Sequence, residues 1–154
     1  MRAGRAAVKA KLHPEGSQES ESLRELQLTC MRSLLATTEE RVYFKDRLSR
    51  FLLVSAGWIA TVTPGRTAEE IIGKTDFDFF GEEHATAAFE DEQRIIRTGE
   101  PVVGKLEQET FSDGTSPWVS TTKMPLRNES GQIIGTFGIS RDVTAQVKAE
   151  NALA

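Results

Sequence analysis

Reactive side chains are scarce in this sequence. Among 154 residues there is one cysteine, Cys30, and there are two histidines, His13 and His84. A lone cysteine excludes an intrachain disulfide and fits a reducing compartment. No cluster of His, Cys, Asp or Glu stands at metal-ligand spacing, so no metal site is expected. A glycine-rich phosphate loop, a nucleophile elbow and a Ser/His/Asp order are all missing, and with them any ground for naming an enzyme. Long apolar runs are missing too: Phe51–Val54 is typical, far below the roughly 18 residues of a membrane-spanning helix. The N-terminus carries Arg2, Arg5, Lys9 and Lys11 but lacks the apolar core of a secretory signal. With 19 basic against 23 acidic residues, the net charge of −4 gives no basic face for nucleic acid. A cytoplasmic protein with no membrane span and no nucleic-acid partner is expected.

What is present suits one globular domain. A hydrophobic share of 38% lies in the ordinary range, and a chain this long buries roughly two-thirds of its unfolded surface without a disulfide or metal. Residues 1–21 read as a polar, disordered tail, since Pro14, Gly16 and the Ser/Glu-rich stretch after them offer little to bury. Ser22 and Glu25 form a capping box that opens a flanking helix over residues 22–38. Its apolar residues make two stripes, Leu23, Leu26, Cys30 and Leu34, then Leu28, Met31 and Leu35. Two stripes are wider than one contact needs, which points to packing on two sides.

Residues 42–45 and 50–54 read as a hairpin around a polar four-residue connector. Residues 57–63 are ambiguous. Thr67 and Glu70 cap a short helix that Gly73 closes, and a longer helix runs over residues 82–98 to stop signals at Gly99 and Pro101. Three strands follow, residues 102–110, 117–126 and 132–140, separated by turns rich in Ser, Asp, Asn and Gly. A final helix over residues 145–154 looks like the start of a connector. Five antiparallel strands with helices inserted between the second and third make an α+β domain.

Specific segments carry a family likeness. They are Tyr43-Phe44-Lys45-Asp46-Arg47 with Arg50-Phe51-Leu52, Glu69-Glu70-Ile71-Ile72-Gly73-Lys74-Thr75-Asp76-Phe77-Asp78-Phe79-Phe80, Thr98-Gly99-Glu100-Pro101, Trp118 with Lys123-Met124-Pro125-Leu126, and Asp142-Val143-Thr144. In this order they resemble the PAS domain of the bacterial sensory type, over residues 39–144. The resemblance implies a five-stranded antiparallel sheet with short helices and one long helix on one face, enclosing a ligand pocket. It also implies a flanking helix or second subunit on the other face. One departure is Ser55, where the family usually has asparagine. By the same likeness, Asp142 and Thr144 would relay a signal from the last strand to the C-terminal helix; a plain helix cap is the other reading.

Strand alternation assigns the two faces. Glu107, Glu109, Thr121, Lys123, Thr136 and Ser140 fall on the pocket face, with Phe79 and Phe89 supplied by the helical region. Leu106, Trp118, Met124, Phe137 and Ile139 fall on the outer face. So apolar a face needs a cover. Leu23, Leu26, Met31 and Leu34 of the flanking helix, together with a second copy, would supply it, giving a homodimer. On the pocket face, Glu107 or Glu109 pairs with Lys123, either as a structural ion pair or to hold a polar ligand.

The resemblance leaves the cofactor unknown. It disfavours haem, because His84 stands one turn early for the family's haem-binding histidine and reads as an exposed residue. It disfavours photoactive flavin, because Cys30 lies outside the helical region. Asp76-Phe77-Asp78 reads as a turn with buried aromatics, and Asp91 and Glu92 as a solvated helix face. The expected function is non-enzymatic: a sensory or regulatory module of a signal-transduction protein, relaying to a downstream kinase, phosphatase or cyclic-nucleotide enzyme. The alternative is a ligand-free dimerisation scaffold whose pocket is filled by Phe77, Phe79, Phe80 and Phe89.

Overall fold

Helix formation begins at Pro14, ahead of the capping box at Ser22. In the computed structural model, which describes residues 14–111 and 113–153, helix α1 spans Pro14–Thr37. Proline is tolerated in a first helical turn because its missing N–H has no partner there, and residues 17–21 hold no helix breaker. The predicted disordered tail is corrected accordingly over residues 14–21; its remainder, residues 1–13, lies outside the described residues. The chain divides into two compact units, residues 1–34 and 35–154. On α1, Leu23, Leu26, Leu28, Met31 and Leu34 are exposed. Cys30, expected in a packed stripe, is also exposed.

In the second unit, β1 (Arg41–Asp46) and β2 (Phe51–Val54) form the hairpin. Its turn is set by Asp46, whose carboxylate accepts from the Leu48 and Arg50 amides at 2.9 and 3.0 Å. The ambiguous stretch after β2 is helix α2 (Ala56–Val62). Ser55 caps it: Oγ accepts from the Trp58 amide at 3.2 Å and the Val42 amide at 2.9 Å, and donates to the Glu40 carbonyl at 2.7 Å. One buried hydroxyl therefore serves the helix start and ties it to β1. Ser55→Ala is expected to cost about 1–2 kcal/mol, the upper end for an N-cap. Urea denaturation checks this, and an unchanged midpoint would refute the bridging role.

Helix α3 (Ala68–Ile71) carries the Thr67/Glu70 capping box, and a 3-10 turn over Asp76–Asp78 leads to α4 (Glu82–Thr98). Gly99, at φ +75°, ends α4 in the left-handed conformation that glycine adopts without strain, its amide donating to the Ile95 carbonyl at 2.7 Å. Strands β3 (Val102–Gln108), β4 (Trp118–Arg127) and β5 (Ile133–Asp142) follow, then α5 (Thr144–Leu153). The sheet is antiparallel in the order β2-β1-β5-β4-β3. Burial alternates along β4, with Val119, Thr121 and Lys123 buried between half-exposed neighbours. At Gly135 the chain crosses so close to the Lys45 carbonyl that a Cβ would collide with it.

The apolar core is small and aromatic: Tyr43, Phe51, Val54, Trp58 and Ile71, with Phe79 and Phe80 against it. Trp58 meets Phe51 edge-on at 4.9 Å and Phe79 at 5.5 Å. Such pairs add about 0.5–1.5 kcal/mol each beyond the area they bury.

Candidate functional site

Alternation along β1 sends Arg41, Tyr43 and Lys45 to one face, the face that α4 covers. Lys45 Nζ donates to Asp76 Oδ2 at 2.6 Å and to Glu92 Oε2 at 2.8 Å. Lys123 Nζ, from β4, donates to the same Glu92 oxygen at 2.9 Å. All four groups are buried, Glu92 completely. Burial pushes Lys45, Lys123 and Glu92 toward their neutral forms, but their partners win. Lys45 stays above its ordinary value because Asp76 and Glu92 outweigh its desolvation, and Lys123 does so chiefly through Glu92. Glu92 stays below the usual carboxylate range under the charges of Lys45 and Lys123.

Glu92 overturns the expectation of a solvated helix face. The buried stripe of α4 is Ala85, Ala88, Asp91, Glu92 and Ile95, and the spacing 85, 88, 92, 95 is that of a core-facing helix side. Glu92 occupies a core position because two strand lysines meet it there. Asp91 lies between Arg94 at 2.9 Å and Lys105 at 2.6 Å. The turn before α4 is also inverted relative to expectation: Asp76 is buried, whereas Phe77 is 52% exposed.

A second charged pair closes the other end. Arg41 Nη1 donates to Glu109 Oε2 at 2.6 Å, both side chains buried. Among the described residues Arg41 Nη2 has no partner. The expected pairing of Lys123 with Glu107 or Glu109 is thus replaced by Lys123–Glu92 and Arg41–Glu109. Glu107 instead accepts from the Thr121 hydroxyl at 3.2 Å and faces Lys105 Nζ at 3.4 Å. Beside it run two further hydroxyl contacts of 3.2 Å, Thr121–Ser140 and Ser140–Tyr43. Burial pushes the Tyr43 phenol well above its ordinary value, so it stays protonated.

These groups enclose a cavity of about 20 Å³, room for one water-sized group. Arg41, Tyr43, Glu107, Glu109, Thr121, Lys123 and Ser140 line it, with Phe51, Trp58 and Phe80 as aromatic wall. His84, expected to be exposed, is half-buried against Phe80 at 4.7 Å and also lines it. Thr136 is buried away from the lining, its hydroxyl without a partner among the described residues. Phe89 is exposed beside Phe77, and Phe79 borders a separate groove with Asp142 and Thr144. On the opposite face Phe137 stacks on Phe44 at 5.5 Å, while Leu106 and Ile139 are exposed. Arg41, Tyr43, Lys45, Trp58, Asp76 and Glu92 were not named from sequence as site residues; the alternation of β1 and the stripe of α4 were the available signals.

The end of β5 forms a corner with α5. Asp142 Oδ1 accepts from the Thr144 amide at 2.9 Å. Thr144 Oγ1 accepts from the Trp118 amide at 2.9 Å, and the Val143 amide donates to the Trp118 carbonyl at 2.8 Å. Hydrogen bonds from Thr144 hold the Asp142 carboxyl below its usual range, and the Arg41 charge adds a smaller pull.

Residues 35–148 match the family described as PAS fold. The methanogenesis regulatory histidine kinase FilI of Methanothrix harundinacea is 32% identical over 113 residues, 73% of this chain and 12% of that protein. A diguanylate cyclase of Vibrio cholerae is 30% identical over 87 residues, 56% of this chain and 27% of the cyclase. The chain therefore spans only a small part of these relatives. Among solved structures, a Vibrio cholerae VqmA–ligand–DNA complex superposes with a TM-score of 0.66 at 25% identity, covering 80% of this chain and 58% of VqmA. No helix among the described residues is long and apolar enough to cross a membrane. On the match over residues 35–148, carried through the five-stranded sheet and its covering helices, this chain belongs to the PAS family.

Proposed function

We propose that the domain is a non-catalytic sensor that holds a small molecule between α4 and the sheet and relays its presence through Asp142 and Thr144 into α5. Support comes above all from the cavity between α4 and the sheet, which sets the polar groups of Arg41, Tyr43, Lys123 and Ser140 against an aromatic wall of Phe51, Trp58 and Phe80. A ligand that pulled on Arg41 would change the field at the strand-to-helix corner, a local event with a route outward. Glu107, Glu109, Thr121, Lys123 and Ser140 would contact or frame the ligand. Phe79, Phe89 and Thr136 would act only by packing.

In the full-length protein the effector would be a kinase, phosphatase or cyclic-nucleotide enzyme, in keeping with FilI and the cyclase. The domain would act as a homodimer in a bacterial cytoplasm. Leu106, Trp118, Met124, Phe137 and Ile139 on the outer face, and Leu23, Leu26, Met31 and Leu34 on α1, would form its contacts. A net charge of −4 argues against nucleic-acid contact by this domain. A cavity of only about 20 Å³ favours the second reading, a ligand-free dimerisation scaffold. Native mass spectrometry of protein purified from its own cells tests the choice. The sensor should carry a small adduct that is lost on denaturation, whereas an intact dimer of bare chain mass would establish the scaffold and end the sensory reading.

A further inference from the structure

Two phenylalanines stand on the surface of the helical side. Phe77 is 52% and Phe89 40% exposed, and their rings lie 6.4 Å apart. Neither lines the interior cavity, and Ile72, at the end of α3, is exposed as well. Their support is braced. Gln93, one helical turn past Phe89, fastens α4 to the β1–β2 turn by donating to the Arg47 carbonyl at 2.9 Å. From beneath, Glu92 holds the same helix to Lys45 and Lys123. Aromatic rings offer the largest apolar burial of any side chain, so a contiguous pair left in water on a firm base marks a surface that is covered in use.

Charge says what covers it. From Thr67 to Gln93 the chain carries nine carboxylates and a single lysine, Lys74. Asp76, Asp91 and Glu92 are spent on Lys45, Lys105 and Lys123. The other six, Glu69, Glu70, Asp78, Glu82, Glu83 and Glu90, are exposed. None of them forms an ion pair among the described residues. Glu69, Glu70, Glu82 and Glu83 lie in the first turns of α3 and α4, where they favour the helix dipoles. That accounts for the acids but not for the two rings that the sequence sets among them. The acids would repel an anionic membrane surface and nucleic acid alike. A second copy of this face is excluded too, since its carboxylates would meet their own kind.

We propose that the face formed by α3, the 3-10 turn and the exposed side of α4 docks a basic amphipathic segment of a partner protein. One apolar side chain of that segment sits against Phe77 and Phe89, and its lysines or arginines reach the acidic rim. This is helix recognition by an apolar anchor, with cation–π contact and charge complementarity fixing the orientation. Docking takes place on the outside of α4 and requires no ligand in the interior.

The test is a chemical-shift titration of the domain with a peptide of about 18 residues, leucine on one helical face and lysine on the other. Its control carries glutamate in place of lysine. The lysine peptide should saturably move the Ile72, Phe77 and Phe89 amide resonances, and the glutamate peptide should leave them in place. Raising NaCl from about 0.05 to 0.5 M should weaken the lysine peptide at least about tenfold as the rim is screened. Phe77→Ser removes an exposed ring; it should retain its melting temperature and lose about tenfold in affinity, as an anchor does. Glu82→Gln/Glu90→Gln should weaken the same peptide and flatten its salt dependence, and serves if Phe77→Ser does not fold. Equal binding of the glutamate peptide, or both variants binding as the parent does, would overturn the assignment. So would shifts that map instead to α1 or to the outer sheet face at Phe137, and so would no response to either peptide. The sensory reading survives each of these results, because the native mass decides it separately.

Discussion

Glu92→Gln will lower the stability of the domain by about 3–5 kcal/mol, the cost of removing one partner from a buried ion pair. For a domain of this size that is a fall of roughly 10–20 °C in melting temperature. The reason lies in how the charges share partners. Lys45 keeps Asp76 when Glu92 is neutralised, but Lys123 loses the only carboxylate that it contacts directly among the described residues, at 2.9 Å, and stays buried. Lys123→Met does the reverse damage, leaving Lys45 to answer two buried carboxylates. The double variant Glu92→Gln/Lys123→Met returns the interior to a balanced Lys45–Asp76 pair. It should therefore be more stable than Glu92→Gln alone. A denaturant-melt cycle measures this, and simple additivity of the two losses would mean that the pair is not the unit described here.

Stability should be flat through neutral pH and fail steeply in alkali. Three buried groups, Tyr43, Lys45 and Lys123, hold their protons more tightly folded than unfolded, their ordinary values being 10.0, 10.5 and 10.5. Tyr43 is raised chiefly by burial, and the lysines by their carboxylates overcoming burial. Above pH 10 the unfolded chain releases protons that the folded chain keeps, so unfolding becomes easier as pH rises. The slope approaches about 1.4 kcal/mol per pH unit for each group. The stability these groups supply is complete below their unfolded values and disappears as pH climbs through the folded ones. Glu92 acts in the other direction, its contribution present above the ordinary 4.5 and lost on acidification. Urea midpoints between pH 7 and 12 provide the measurement. A profile level to pH 12 would contradict the network, and Glu92→Gln should decline less steeply in alkali, since Lys123 without that carboxylate no longer holds its proton so far above the ordinary value.

The architecture could be read from the sequence wherever the signal was local. The helix at residues 82–98 carries its own stops at Gly99 and Pro101, and the turns at Asp113-Gly114 and Asn128 are built from side chains that bond their own backbone. The α+β topology follows from those pieces. Residues 14–21 were harder, because low hydrophobicity signals disorder equally well when a helix forms. Glu92 and Asp76 were beyond local reading. A carboxylate in a core-facing position looks like an error in the pattern unless its partner is known, and Lys45 stands 47 residues from Glu92 and 31 from Asp76. Periodicity reports which side a residue takes; it does not report which distant lysine will be waiting there. The exposed Phe77 follows from the same blind spot, since the buried place in its turn went to Asp76.

The domain's two tryptophans are divided between the ends of the proposed route. The indole of Trp58 forms part of the aromatic wall, and the backbone of Trp118 is bonded on both sides to the start of α5. Replacing either one with phenylalanine leaves a single tryptophan, excitable apart from Tyr43 at long wavelength, at the entrance of the message in one protein and at its exit in the other. Input and output can thus be watched separately, in an unlabelled molecule and on the same timescale.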